Sequence, residues 1–339
     1  MKILFVNNTE NLDNIGCKST SYGIKILLSN HEVKNIYAEQ IFQLNNKFLN
    51  HYISKLYYKY INLLSYRINK YIKIRLIKNK NIIKLIEESD LILINGEGSI
   101  HDNRITSITL LCIAQIAKNL DKKVHLINCT IKNMNDCYLN IIRNLDKVVV
   151  RESLTKKYLE KNNINCILGA DAAWVLLKDS ISKSARKRNI KSNRILLTGG
   201  VINNINQIKD IILKFQGRYN IHYLYIDKVD NLFIDLLASH NIKSINAKDI
   251  FLKNKNSFFK LLCNYSFIIS GRHHINIFAY YLGIPIIPLK SNTYKIEGTI
   301  KTLSQEGKGI KNLDDLHKII IERNAVKKAI NLSRRNFIV

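Results

Sequence analysis

Short, almost uninterrupted apolar runs alternate along this chain with stretches of helical period, and few folds accommodate such a pattern. In the first half the runs are Lys2–Asn7, Asp90–Asn95, Lys122–Asn128 and Lys147–Arg151. In the second half they are Arg194–Thr198, His222–Ile226, Ser266–Ser270 and Ile284–Leu289. Runs rich in Ile, Val and Leu that lack polar alternation suit strands buried on both faces, as in parallel sheets covered by helices. The alternation predicts doubly wound α/β units. The stretch 178–193 is polar, basic and poor in large apolar residues, so it reads as a linker. Two Rossmann-type domains are expected, 1–185 and 186–339, facing a central cleft.

A chain of 339 residues is comfortable for two such domains. No window approaches about 18 consecutive apolar residues, which argues against a transmembrane helix. The opening MKILFVNNTE reads as a first strand and not as a signal peptide, so the expected compartment is the cytoplasm. The six cysteines, at 17, 112, 129, 137, 166 and 263, form no CxxC or zinc-like spacing and read as reduced.

The formal net charge is +27. Bias towards Lys, Asn and Ile explains it blandly. Attraction to an anion explains it functionally, whether nucleic acid, a phosphorylated substrate or a membrane surface. Between Lys47 and Lys84 there are ten Lys or Arg residues, six tyrosines and no acid. Leu56, Tyr60, Ile61 and Leu64 recur there at helical spacing, which predicts a basic helical insertion at about 44–88. It suits peripheral docking on an anionic inner-membrane surface, or equally an ordinary packed insertion with a solvated lysine face. No recognised nucleic-acid motif accompanies it, so nucleic acid is not an expected partner.

Five segments carry candidate chemistry. After the first strand, the loop with Asn14, Gly16, Lys18 and Ser19 runs into a helix-compatible stretch. Ser19, Thr20 and Ser21 are candidate caps able to offer helix N–H groups to an anion. After the second run, Gly96, Glu97, Gly98, Ser99 and His101 suggest a tight strand-to-helix turn, with Glu97 and His101 suited to sugar hydroxyls. Arg151 closes a buried strand and needs an anionic partner, either Glu152 or Asp171 within the protein or a substrate phosphate or carboxylate. Ser270, Gly271, Arg272, His273 and His274 stand where a strand gives way to an apolar helix. They join a guanidinium fork to an imidazole, a side-chain type suited to proton exchange. Asn292 and Lys295 follow the last strand in a polar loop. Together these residues suit an acidic substrate and acid/base chemistry, without naming a reaction.

The segment from Ser270 to Ala279, SGRHHINIFA, resembles the S-x-R-x-H-x-x-I-x-A box of polysaccharide pyruvyl transferases. Asn14-Ile-Gly16, Gly96-Glu-Gly98-Ser99, Val150-Arg151-Glu152-Ser153, Asp171-Ala-Ala-Trp174 and Ser291–Lys295 fall in the order of that family's other boxes. The resemblance spans roughly residues 1–300. It implies a GT-B-like fold, phosphoenolpyruvate as donor substrate, a cell-surface polysaccharide or lipid-linked glycan as acceptor, and neither a metal nor a further cofactor. By the same resemblance His274 is the catalytic acid/base, and Arg151 and Arg272 grip the donor's phosphate and carboxylate. Ser270, Gly271, Asn292 and Lys295 complete the donor side. The acceptor side comprises Asn14, Gly16, Lys18, Ser19, Gly96, Glu97, Gly98, Ser99 and His101. The chain departs from the family at Cys17, at Glu97 within the glycine loop, and at Ala172 and Trp174. A GT-B glycosyltransferase using a nucleotide-activated sugar is the alternative, and a non-enzymatic basic binding protein is a third reading.

Overall fold

The computed structural model describes residues 1–48, 61–181, 192–200, 202, 204–303 and 323–335. They form two compact units. The first holds Met1–Leu12, Ile24–Ala172 and the residues from Leu332; the second holds Asp13–Gly23 and Ala173–Asn331. The chain thus passes between units just before the linker expected from the sequence, and 13–23 clusters with the second unit.

The first unit is a six-stranded sheet in the order β2-β1-β3-β4-β5-β6. Its strands are β1 (Lys2–Asn8), β2 (Glu32–Tyr37), β3 (Leu91–His101), β4 (Lys123–Lys132), β5 (Lys147–Val150) and β6 (Ile167–Leu168). Every pairing is parallel. Successive residues serve opposite cores. Leu4, Val6, Ile92, Ile94, Val124 and Leu126 share one cluster with helix α5 (Ile105–Asn119). Ile3, Phe5, Leu91, Leu93 and Ile127 face the other with Ile24 of helix α1 (Ile15–Leu27). Burial on both faces is the reason these strands carry no polar alternation.

Helix α2 (Ala38–Phe48) follows β2. Of the basic tyrosine-rich segment, residues 49–60, including Leu56 and Tyr60, lie outside the described residues. The remainder forms α3 (Ile61–Ile77) and α4 (Lys80–Glu87). Ile72, Leu76, Ile82 and Ile86 anchor both helices in the core, spaced four residues apart so that each pair shares one helix face. Asn79 caps α4 by accepting the Ile82 N–H at 3.3 Å. Helices α6 (Asp136–Arg143) and α7 (Ser153–Lys161) complete the layer that precedes β5 and β6. No helix among the described residues is long and apolar enough to cross a membrane.

The second unit opens with α8 (Ala173–Ser180) and carries a parallel five-stranded sheet in the order β11-β10-β7-β8-β9. The strands are β7 (Arg194–Gly200), β8 (Asn220–Tyr225), β9 (Lys243–Asn246), β10 (Phe267–Gly271) and β11 (Ile286–Pro288). Helices α9 (Ile205–Phe215) and α10 (Ile234–Ser239) cover one face through Ile208, Ile211, Ile212, Phe215 and Leu237. Helices α11 (Ala247–Lys253), α12 (Lys255–Leu262) and α13 (His273–Leu282) share an aromatic cluster of Phe251, Phe258, Phe259 and Phe278, with ring centroids 5.5–6.5 Å apart. Edge-to-face packing of this kind holds a helix rigidly. Gly283 ends α13 in the left-handed region at φ 69°. Helix α14 (Lys295–Leu303) follows β11, and α15 (Arg323–Arg334) is the last described helix.

Candidate functional site

The functional residues of the second unit gather where β10 meets α13. Ser270 Oγ accepts the Arg272 N–H at 3.0 Å, closing the turn that aims the helix N-terminus at the carboxyl edge of the sheet. Gly271 is obligatory there. A Cβ on it would lie 2.7 Å from Gly200 Cα, so only glycine lets the ends of β7 and β10 approach.

Arg272 is the N-cap residue of α13 and is 8% exposed. Its fork is already committed. Nη1 donates to Asp227 at 2.8 Å, and Nη2 donates to Asp227 at 3.1 Å and Asp230 at 2.9 Å. Burial opposes its charge, but Asp230 and Asp227 outweigh that effect and raise its pKa further. Asp230 is fully buried, accepting also from the Tyr223 hydroxyl and from the N–H groups of Ile226 and Asp227. Burial, and then the Asp230 carboxylate, push the Tyr223 phenol up. Three sealed polar atoms near this turn have no partner among the described residues: Arg272 Nε, Asn276 Oδ1 and Thr198 Oγ1. Thr198 is the register partner of Ser270 on β7. Buried polar atoms without partners carry a desolvation penalty, and they concentrate at sites that receive ligands.

His274 faces α1, whose first part belongs to this unit. Its Nε2 lies 3.1 Å from Thr20 Oγ1. A Cβ on Gly16 would stand 2.1 Å from His274 Nδ1 and 2.5 Å from its Cγ, so the ring occupies space that only glycine leaves. Two sequence segments more than 250 positions apart therefore interlock: the glycine of Asn-Ile-Gly makes room, and Thr20 orients the imidazole. His273 is buried, its ring centroid 5.0 Å from that of His274. After β11, Lys295 Nζ donates to Asn292 Oδ1 at 3.3 Å at the start of α14.

The expected cap of α1 is corrected. The helix starts at Ile15, and Asn14 Oδ1 accepts the N–H groups of Gly16 and Cys17 at 2.9 and 3.3 Å. Ser19 lies one turn inside, fully buried, with its hydroxyl on the Ile15 carbonyl at 2.7 Å. Asparagine competes with serine for N-caps, and the sequence places it five residues before the first serine. Lys18 is half-buried on the same helix.

In the first unit, Gly96–Ser99 do not form a strand-to-helix turn. β3 continues through them to His101, with a register shift against β4 between Glu97 and Ile100. Gly96 is a packing glycine, since a Cβ would fall 2.4 Å from Cys129 Cβ. Glu97 is 6% exposed and accepts from Thr9 Oγ1 at 2.6 Å and Asn95 Nδ2 at 3.2 Å. Gly98 and Ser99 are half-buried, and the Ser99 carbonyl accepts from Ser107. His101 is buried with Nδ1 2.7 Å from Asp102. Arg151 is 2% exposed, donating to Asp171 at 2.7 Å and to Thr130 at 2.9 Å. Asp171 is one of the two internal partners foreseen for it. Asp227, Asp230 and Thr20 were not foreseen as partners, although Asp227-x-x-Asp230 has the spacing of a capping box and forms one.

The family model for polysaccharide pyruvyl transferase matches residues 28–293. The chain belongs to that family. Among solved structures, this pyruvyl transferase family member is similar to the UDP-GlcNAc 2-epimerase from Neisseria meningitidis bound to UDP-GlcNAc. The TM-score is 0.53 at 17% identity, over 100% of this chain and 96% of that one. It is similar also to Anabaena Alr3699/HepE in complex with UDP-glucose, with TM-score 0.53 and 11% identity over 99% and 95% of the two chains. At these identities the likeness establishes the GT-B fold alone. No curated protein matches the chain.

Proposed function

We propose that the protein transfers a pyruvyl group from phosphoenolpyruvate to a sugar of a cell-surface polysaccharide or lipid-linked glycan, forming a pyruvate ketal. The observation that carries the reading is the imidazole of His274, oriented by Thr20 over Gly16 at the head of α13. A sugar hydroxyl adds at C2 of the enol while C3 takes up a proton. A second hydroxyl of the same sugar then displaces phosphate and closes the ketal, its proton leaving with the phosphate. His274 passes the proton released by the attacking hydroxyl towards C3. The N-terminus of α13 and Lys295, held by Asn292, supply positive potential for the departing phosphate. With its fork on Asp227 and Asp230 and its Nε sealed, Arg272 holds the turn ahead of α13, and the donor's phosphate falls to the helix N-terminus and Lys295.

The rival donor is a nucleotide-activated sugar, and thermal shift separates the two. A ligand that binds the native state raises the apparent Tm in proportion to the logarithm of its concentration over Kd. Millimolar phosphoenolpyruvate is expected to raise Tm, while UDP, GDP and CMP leave it unchanged. A rise with a nucleotide and none with phosphoenolpyruvate reverses the assignment.

The acceptor, in this reading, is met at an anionic membrane surface. Helix α3 turns Tyr71, Ile74 and Ile77 outward, at 41%, 42% and 52% exposure, beside Lys70, Arg75 and Lys78. Arg75 stacks 5.4 Å over the Tyr71 ring and donates to its hydroxyl. Apolar side chains ringed by cations, with no acid nearby in sequence, suit anionic headgroups. The protein should co-sediment with phosphatidylglycerol vesicles and not with phosphatidylcholine vesicles. Double replacement of Ile74 and Ile77 by Glu should abolish the pelleting. Equal pelleting with both lipids removes the membrane from the account.

A further inference from the structure

Glu97 is a carboxylate in an unusual position. It lies within β3, level with the end of β5, 6% exposed, with backbone φ of 38°. Left-handed backbone is strained for glutamate and relaxed for glycine. The neighbouring strands repeat the conformation at Asn7 (φ 62°) and Asn128 (φ 53°), where asparagine tolerates it. Their side chains join one buried network. Asn7 Nδ2 donates to the Asn95 carbonyl at 2.7 Å, and Asn128 Nδ2 donates to Asn95 Oδ1 at 3.1 Å. Asn95 Nδ2 and Thr9 Oγ1 both donate to Glu97 Oε1. Oε1 is thus held from two sides.

Oε2 is different. It takes no hydrogen bond among the described residues and is not one of the sealed polar atoms. Nor does any Lys, Arg or His among those residues form an ion pair with Glu97, in a chain holding 53 Lys and Arg. A carboxylate kept buried, strained and without a counter-cation does nothing for stability that glycine would not do better. One oxygen is locked and the other is open to a ligand.

We infer that Glu97 Oε2 is the acceptor-recognition atom of this protein, taking a hydrogen bond from a neutral hydroxyl or N–H of the acceptor sugar and refusing an acceptor that is anionic there. The inference deepens the proposed function and rests on its sugar acceptor. Glu97 sets specificity for the acceptor. A second carboxylate or a phosphate opposite Oε2 would meet like charge, and no Lys, Arg or His among the described residues pairs with Glu97 to relieve it.

The test uses the full chain with Glu97→Gly and Glu97→Gln. Glycine removes both the strain and the carboxylate; glutamine keeps the volume and turns one oxygen into a donor. Saturation-transfer NMR with N-acetylglucosamine, N-acetylmannosamine, galactose and glucuronic acid reads the binding, and thermal melting reads the strain. We expect transfer to at least one neutral sugar and none to glucuronic acid. Both variants should lose the neutral signal by about tenfold or more, and Glu97→Gly should melt at or a few degrees above the wild-type temperature, about 2–4 °C at most. The inference is overturned if no neutral sugar gives a signal with wild type, if the signal survives in both variants, or if glucuronic acid binds as well. A lower Tm in Glu97→Gly with unchanged sugar binding assigns the residue to structure alone, which also overturns it. A phosphoenolpyruvate thermal shift is run in parallel. If that shift is present and sugar binding is independent of Glu97, only this inference fails. If sugar binding depends on Glu97 and no shift appears, only the donor assignment fails.

Discussion

Replacing Asp230 by alanine is expected to destabilise the protein by about 3–5 kcal/mol, lowering Tm by on the order of 10 °C. Asp230 is fully buried and receives four hydrogen bonds, from Arg272, the Tyr223 hydroxyl and the N–H groups of Ile226 and Asp227. Its removal leaves a buried guanidinium with Asp227 alone, whose side chain is 26% exposed and in partial contact with water. It also strips the short 3-10 helix Lys228–Phe233 of one half of its capping box. Asp230→Asn keeps the volume and some of the acceptors and removes only the charge, so its loss should be smaller. Chemical denaturation of both variants checks the order. A Tm within 2 °C of wild type for Asp230→Ala, about 1 kcal/mol or less, would mean that Arg272 does not depend on this carboxylate.

Gly16→Ala should separate activity from stability. Gly16 is the second residue of α1, where alanine is intrinsically the better helix former by about 1 kcal/mol. The added methyl, however, would lie 2.1 Å from His274 Nδ1. The imidazole is half-buried and can swing outward, so the fold accommodates the change by giving up the ring's position. Turnover is then expected to fall by roughly 10²–10⁴, the usual contribution of a positioned acid/base group, while Tm stays level or rises. Activity that survives Gly16→Ala would show that the position of the ring over α1 is unimportant to the reaction.

Central strands were legible in the sequence, and edge strands were not. β1, β3, β4, β5, β7, β8 and β10 are covered on both faces and therefore read as apolar runs. β2, β6 and β9 are the edges that escaped notice. Sequences such as EVKNIY and KSIN pair on one side only and between them fully bury only Ile36, so hydrophobicity carries no signal there. β11 is also an edge, yet buried Ile286 and Ile287 made it visible.

The candidate site divides in a similar way. The Ser-Gly-Arg-His-His box announced itself because its residue types are costly to place at a strand end without a purpose. Its partners did not. Thr20 and Asp230 reach the box across 254 and 42 positions, and such pairings are set by tertiary packing and not by any local pattern. The glycine loop misled for a related reason. Two glycines around Glu97 suggest a tight turn, whereas Gly96 is needed for packing against Cys129 and the strained residue is Glu97 itself. A glutamate between two glycines was the available signal that the position tolerates left-handed backbone.

In the proposed reaction one imidazole moves a proton while phosphoenolpyruvate is consumed. Phosphate release from phosphoenolpyruvate is the direct measure, followed with glycan acceptors for wild type and for His274→Ala of matched Tm. Acceptor-dependent release by wild type, reduced about 10²–10⁴-fold in the variant, is the predicted result. Release at equal rates from both proteins, or consumption of a nucleotide sugar with phosphoenolpyruvate left intact, would contradict it.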